Sequence, residues 1–182
     1  MRKLAGFLCA AAVALPVPFL AEPASAAGGV SCRSLSGTEV WNPPLPKSSE
    51  RRSKPTITIK NAKLAGCTSS GGAIKSGIFN ATIKWLDPGN CDTLMTYIPP
   101  EDEPRIKGTV TIDWNTGKTS TIAVSLRRTK PYVQKLAGTV AGGKFTGSKF
   151  AVLLLIDPPA GACDTKPLAT TKFNRLTKLE II

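Results

Sequence analysis

Residues 105–114, RIKGTVTIDW, alternate with a period of two. Ile106, Val110, Ile112 and Trp114 fall on one face, while Lys107, Thr109, Thr111 and Asp113 fall on the other. Alternation sustained over that length is the signature of a half-buried β-strand. Residues 115–118, NTGK, then turn the chain into TSTIAVSL, where Ile122, Val124 and Leu126 alternate again. Gly117 supplies the positive φ that such a hairpin turn needs. Phe79, Ala81, Ile83 and Trp85 alternate with Asn80, Thr82 and Lys84 in the same way. The C-terminal KFNRLTKLEII keeps the period only if a bulge near Asn174 shifts its phase. No window after residue 26 combines a 3.6-residue period with capping residues. The pattern predicts an all-β chain, an antiparallel β-sandwich of about eight to nine strands.

Several phrases are written twice. KLAGC at Lys63 is echoed by KLAGT at Lys135, and Cys91-Asp92-Thr93 by Cys163-Asp164-Thr165. SGTEVWN at Ser36 matches KGTVTIDW at Lys107, and FNATIKWLDP at Phe79 matches KFAVLLLIDP at Lys149. Anchors in one order at nearly one offset point to two similar halves, about 35–105 and 106–178, joined by the Pro-bounded PPEDEP.

The first residues carry the marks of export. Arg2 and Lys3 precede the apolar run 4–20, and Ala24-Ser25-Ala26 is a small-residue cleavage site. Pro16 and Pro18 interrupt the run before it reaches the ~20 apolar residues of a spanning helix. Leu8 before Cys9 does not suit a lipoprotein signal. The expectation is a signal peptide over 1–26, cleaved near Ala26, and a single secreted domain over 27–182.

Cys32, Cys67, Cys91 and Cys163 would remain, an even number in an exported chain, which predicts two disulfides. Equivalent loops of two similar halves favour Cys91–Cys163, leaving Cys32–Cys67; spacing alone leaves the other two connectivities open. Structural zinc is disfavoured, since the chain has no His and no C-x-x-C pair.

The net charge is +12 for the full chain, and losing Arg2, Lys3 and Glu22 with the signal peptide lowers it only to +11. Two segments that differ between the halves carry basic clusters. Arg51, Arg52 and Lys54 lie in PPLPKSSERRSKP, and Arg127, Arg128 and Lys130 lie in LRRTKPYVQ, followed by Tyr132. They are candidates for binding an anionic envelope polymer or lipid surface; no specific nucleic-acid motif accompanies them. The run FAVLLLI over 150–156 is apolar at every position. Val152, Leu154 and Ile156 are therefore interface candidates for a protein partner or self-association, unless another part of the chain covers them.

Chemistry-bearing constellations are absent. Without His there is no Ser-His-Asp or Cys-His arrangement and no ordinary catalytic zinc site. Asp87, Asp92, Asp157 and Asp164 offer a carboxylate pair for an enzyme acting on extracellular polysaccharide, or oxygens for calcium. Their Asp-Pro and Gly-rich contexts read more simply as turns. The Gly-Gly pairs at Gly71 and Gly142 lack the helix and Lys-Ser/Thr of a phosphate loop. The expectation is a non-enzymatic binding protein with no cofactor.

A Cys before a first Gly-Thr strand, the phrases LAGCTSSGG, GTVTIDW and GKTSTI, and a late Cys before Phe-Asn resemble uncharacterised exported all-β proteins of actinobacteria. That resemblance implies a secreted all-β fold; it attaches no activity and no functional residue to this chain.

Overall fold

The structure is a computed structural model that describes residues 28–95, 106–130 and 133–182. The expected signal peptide, the PPEDEP joint and Tyr132 lie outside the described residues.

Ten strands and one short helix follow one another: β1 Val30–Cys32, β2 Ser34–Leu45, β3 Thr56–Ala65, β4 Thr68–Ser69, β5 Gly77–Trp85, α1 Cys91–Met95, β6 Ile106–Trp114, β7 Thr119–Lys130, β8 Val133–Gly143, β9 Lys149–Asp157 and β10 Leu168–Ile181. The chain is all-β, as its alternation requires, but it is not a sandwich. The long strands pair in the order β2-β3-β5-β6-β7-β8-β9-β10, and β10 returns to pair with β2, closing an 8-strand barrel. The closing ladder sets Thr170 against Val40 and Phe173 against Gly37. A sandwich and a barrel both need strands with one apolar face, so alternation serves either. Only the pairing of the first long strand with the last, far apart in sequence, separates them.

All neighbouring pairs in the barrel are antiparallel. The turn at residues 115–118 forms as the sequence predicts, with Gly117 at φ 72° and its N–H donating to the Trp114 carbonyl at 2.9 Å. The bulge expected near Asn174 appears as a register shift between Lys172 and Arg175. A second bulge, between Ile59 and Ala62 on β3, lies beside Asn61 at φ 55° and moves the inward phase from Ile59 to Ala62. The helix α1, absent from the sequence reading, is one turn begun by Asn90. Asn90 Oδ1 accepts from the Thr93 N–H at 3.4 Å, and Thr93 Oγ1 accepts from the Asn90 N–H at 3.2 Å.

The inward faces supply the core. Gly37 shows how closely it is filled: a Cβ there would lie 2.7 Å from the Ala62 Cβ and 2.9 Å from the Phe173 ring. Val152, Leu154 and Ile156 point inward and are buried, with exposures of 1%, 0% and 3%. They are core rather than an exposed stripe, which corrects the interface expectation. Matching 79–88 to 149–158 sets the phase off by one residue, because the inward Phe79 corresponds to Phe150. On the outer side of β9, Leu153 is half-buried and Leu155 is 37% exposed.

The repeated phrases divide in the same way. Those at Lys63 and Lys135 lie on β3 and β8, and those at Phe79 and Lys149 lie on β5 and β9. Each pair runs in the same sense, four strands apart around the barrel. Those at Ser36 and Lys107 lie on β2 and β6, which run oppositely and are not equivalent. Equal four-strand halves therefore divide between Trp114 and Thr119, not between residues 105 and 106.

Candidate functional site

One end of the barrel carries the long connections. The β2–β3 loop, the start of the β5–β6 connection with α1, and the β9–β10 loop emerge there, and β7 ends and β8 begins at the same end. Cys91 opens α1 and Cys163 lies in the β9–β10 loop. Their disulfide, with Cα atoms 5.4 Å apart, crosses the mouth between opposite walls. The β2–β3 loop is tied into the same lid. Ser53 and Gly89 exchange backbone hydrogen bonds of 2.8 and 2.7 Å, and the Cys91 N–H donates to the Pro46 carbonyl at 2.9 Å. The Asn90 side-chain amide donates to the Ser48 carbonyl at 2.9 Å. Gly89 rests on Trp85, since a Cβ there would lie 2.1 Å from the indole ring.

Below the lid the interior is apolar, with inward polar groups at a few positions. Glu39 is 0% exposed. One carboxyl oxygen, Oε2, accepts a hydrogen bond from Thr171 Oγ1 at 2.7 Å, while Oε1 has no partner. Burial pushes the Glu39 carboxyl up to about 7, and the Thr171 hydrogen bond only partly offsets this. Trp41 and Trp85 meet edge to face, ring centroids 5.9 Å apart at 65°. Neither indole N–H has an acceptor. On β8, Gln134 is buried with its Oε1 unpaired. A buried polar atom left unpaired costs about 1–3 kcal/mol, so several in one half of one barrel need a physical reason.

The sequence reading did not single out Glu39, Trp41, Trp85, Gln134 or Thr171. Parity was the available signal: Glu39 shares the inward phase of Leu35 and Trp41, and Gln134 that of Leu136.

The other end is built differently. β1 and β2 continue one another, as do β3 and β4: Ser34 pairs with Ala65 and Ser31 with Thr68. That register sets Cys32 directly opposite Cys67, and their disulfide, Cα atoms 3.9 Å apart, is a cross-strand staple. Buried polar groups here are paired. Trp114 Nε1 donates to Ser120 Oγ at 2.9 Å, and Ser120 Oγ donates to the Lys144 carbonyl at 2.6 Å.

Basic residues lie at both ends, and the described acids are concentrated at the lid end. Arg51, Arg52 and Lys54 are exposed in the β2–β3 loop, at the lid rim. Arg127, Arg128 and Lys130 belong to β7 rather than to a loop, with backbone partners Lys135, Gln134 and Val133; their side chains lie outside the described residues. Both segments reach the same rim on opposite walls. The rim also carries the exposed Lys84, Lys107 and Lys166 and the acids Glu50, Asp87, Asp92, Asp157 and Asp164, and Glu50 pairs with Lys47 at 3.2 Å. At the far end, Arg33, Lys63, Lys75, Lys118, Lys144 and Lys149 are exposed. The acids described there are Asp113, which accepts from Thr119 Oγ1 at 2.8 Å, and Glu180, which pairs with Lys178.

Asp92 on α1, Asp157 at the end of β9 and Asp164 in the β9–β10 loop are exposed, and Asp87 after β5 is half-buried. Among the described residues no three His, Cys, Asp or Glu side chains gather as a metal site, and no helix is long and apolar enough to cross a membrane. Comparison with protein-family models, curated proteins and solved structures finds no match for the chain.

Proposed function

We propose that the chain is an exported, non-enzymatic binding protein that attaches to a phosphate-bearing anionic surface of the cell envelope through the cationic end of its barrel. The observation that carries this reading is a set of exposed cations with few acids among them. Arg33, Lys63, Lys75, Lys118, Lys144 and Lys149 ring the end opposite the lid, with Asp113 and the Lys178-paired Glu180 as the acids described beside them. A ring of cations around a blunt end matches charges spread over a plane better than charges along a line. Two disulfides support an oxidising destination. The absence of His from the sequence and the lack of any catalytic constellation in it support a binding role.

Co-sedimentation with phosphatidylglycerol vesicles, phosphatidylcholine vesicles as control, tests the reading. Binding should require phosphatidylglycerol and fall steeply above about 0.1 M salt, where the screening length is ~10 Å. The triple variant Lys118→Glu, Lys144→Glu, Lys149→Glu should abolish it, whereas Arg51→Glu, Arg52→Glu, Lys54→Glu should leave most of it. Salt-insensitive binding, or loss confined to the second triple variant, would overturn the assignment to this end.

A further inference from the structure

The barrel closes along an interrupted ladder. Thr170, Thr171, Lys172 and Phe173 of β10 face Val40, Glu39, Thr38 and Gly37 of β2 in unbroken register. Toward the lid the register shifts before Leu168 meets Leu45. The intervening Pro43 and Pro44 have no N–H to give to the ladder. In the other direction, the next described pair along β10 is Leu179 with Cys32 of β1. The outer neighbours are irregular as well: β2 shifts against β3 between Ser36 and Glu39, and β10 shifts against β9 between Lys172 and Arg175. The β5–β6 ladder, by contrast, runs without a break from Gly77 and Trp114 to Trp85 and Ile106. A short ladder bounded by bulges opens locally more readily than a continuous one.

Glu39 stands within this short ladder with its side chain in the interior, 0% exposed. Its Oε2 accepts from Thr171 Oγ1, directly opposite across the seam, and its Oε1 has no partner. The residues in register with it on β3 and β10 are Ile59 and Thr171. No other charged side chain described on β2, β3 or β10 faces inward. Lys60, Lys63, Lys172 and Lys178 are exposed, and Glu180 lies on the outer side of β10 between the buried Leu179 and Ile181. Glu39 is the one ionisable side chain among the described buried residues. A neutral carboxyl suits such a place, whereas a carboxylate there has one donor and no counter-charge. Burial accordingly pushes the group up to about 7. Parting Thr171 from Glu39 would give the carboxylate water.

We propose that the β2–β10 ladder is a pH-sensitive seam, closed while Glu39 keeps its proton and parting locally, with the rest of the barrel folded, once that proton passes to solvent. This is independent of the surface attachment proposed for the cationic end.

Native-state hydrogen exchange of the disulfide-intact protein at a series of pH values tests the seam, with each rate corrected for the intrinsic base catalysis of amide exchange. In the open seam Glu39 titrates at its ordinary 4.5. Opening should therefore increase about tenfold per pH unit from 4.5 to about 7 and level off above that. Amides of 37–40 and 170–173 should show this rise and depend little on low concentrations of urea. Amides of the β5–β6 ladder should exchange with the steep urea dependence of global unfolding. Glu39→Gln, which cannot ionise, should keep the seam amides slow at every pH. The unmodified protein decides the matter where this variant does not fold. Seam amides that exchange only through global unfolding, corrected rates that are equal at about pH 5 and pH 8, or a pH dependence that survives in Glu39→Gln would each overturn the proposal.

Discussion

Cys91 and Cys163 are bonded across the mouth of the barrel from loops on opposite walls. The bridge holds down the lid that rests, through Gly89, on Trp85. The other bridge, Cys32–Cys67, joins strands already adjacent. One disulfide therefore fixes a covering and the other fixes a register.

Removing each should have similar thermodynamic and different local effects. With sequence separations of 72 and 35 residues, chain entropy gives about 4 kcal/mol for each bridge. Paired Cys→Ser variants should lower the denaturation midpoint comparably. Hydrogen exchange should accelerate at α1 and the β9–β10 loop in the Cys91/Cys163 variant, but at β1 and β4 in the Cys32/Cys67 variant. Uniform acceleration in both would contradict the lid.

Glu39 should make stability fall as pH rises. Its carboxyl is pushed up to about 7 from an ordinary 4.5, so between those values the folded chain holds a proton that the unfolded chain has released. The protein is therefore relatively stabilised below about 4.5, loses stability up to about 7, and changes little from this group above that. The loss is bounded at about 3 kcal/mol. Glu39→Gln should flatten the profile and raise stability at pH 8, read by urea denaturation across that range. A wild-type profile with the opposite slope, unchanged in Glu39→Gln, would contradict the buried carboxyl.

Gly89→Ala should lift the lid. The added methyl would meet the Trp85 ring, and overpacking of this kind costs about 1–3 kcal/mol. Tryptophan emission should shift to the red and the thermal midpoint should drop. An unchanged midpoint and spectrum would mean that Gly89 does not rest on Trp85.

Leu154→Lys should prevent folding, because the side chain is 0% exposed inside the barrel and a lone buried ammonium costs several kcal/mol. Leu155→Lys, one position along and 37% exposed, should be tolerated. Circular dichroism and the yield of oxidised protein distinguish them. Equal tolerance of both would reverse the facing of β9.

What the sequence by itself determined was local. Alternation at Ile106–Trp114 specified a strand, Gly117 its turn, and the phase break near Asn174 a bulge, because each depends on neighbours a few residues apart. Parity along β2 also carries the inward placement of Glu39, for the same reason. The tertiary structure decided what depends on distant partners. The ladder between Val40 and Thr170 turned an expected sandwich into a barrel. The placement of Phe150 set Val152, Leu154 and Ile156 inward, and the barrel's closure brought Trp41 and Trp85 under one lid. A period of two tells a chain which residues share a face; it does not say which strand will cover that face, since that is settled by pairing energies between segments the local pattern never brings together.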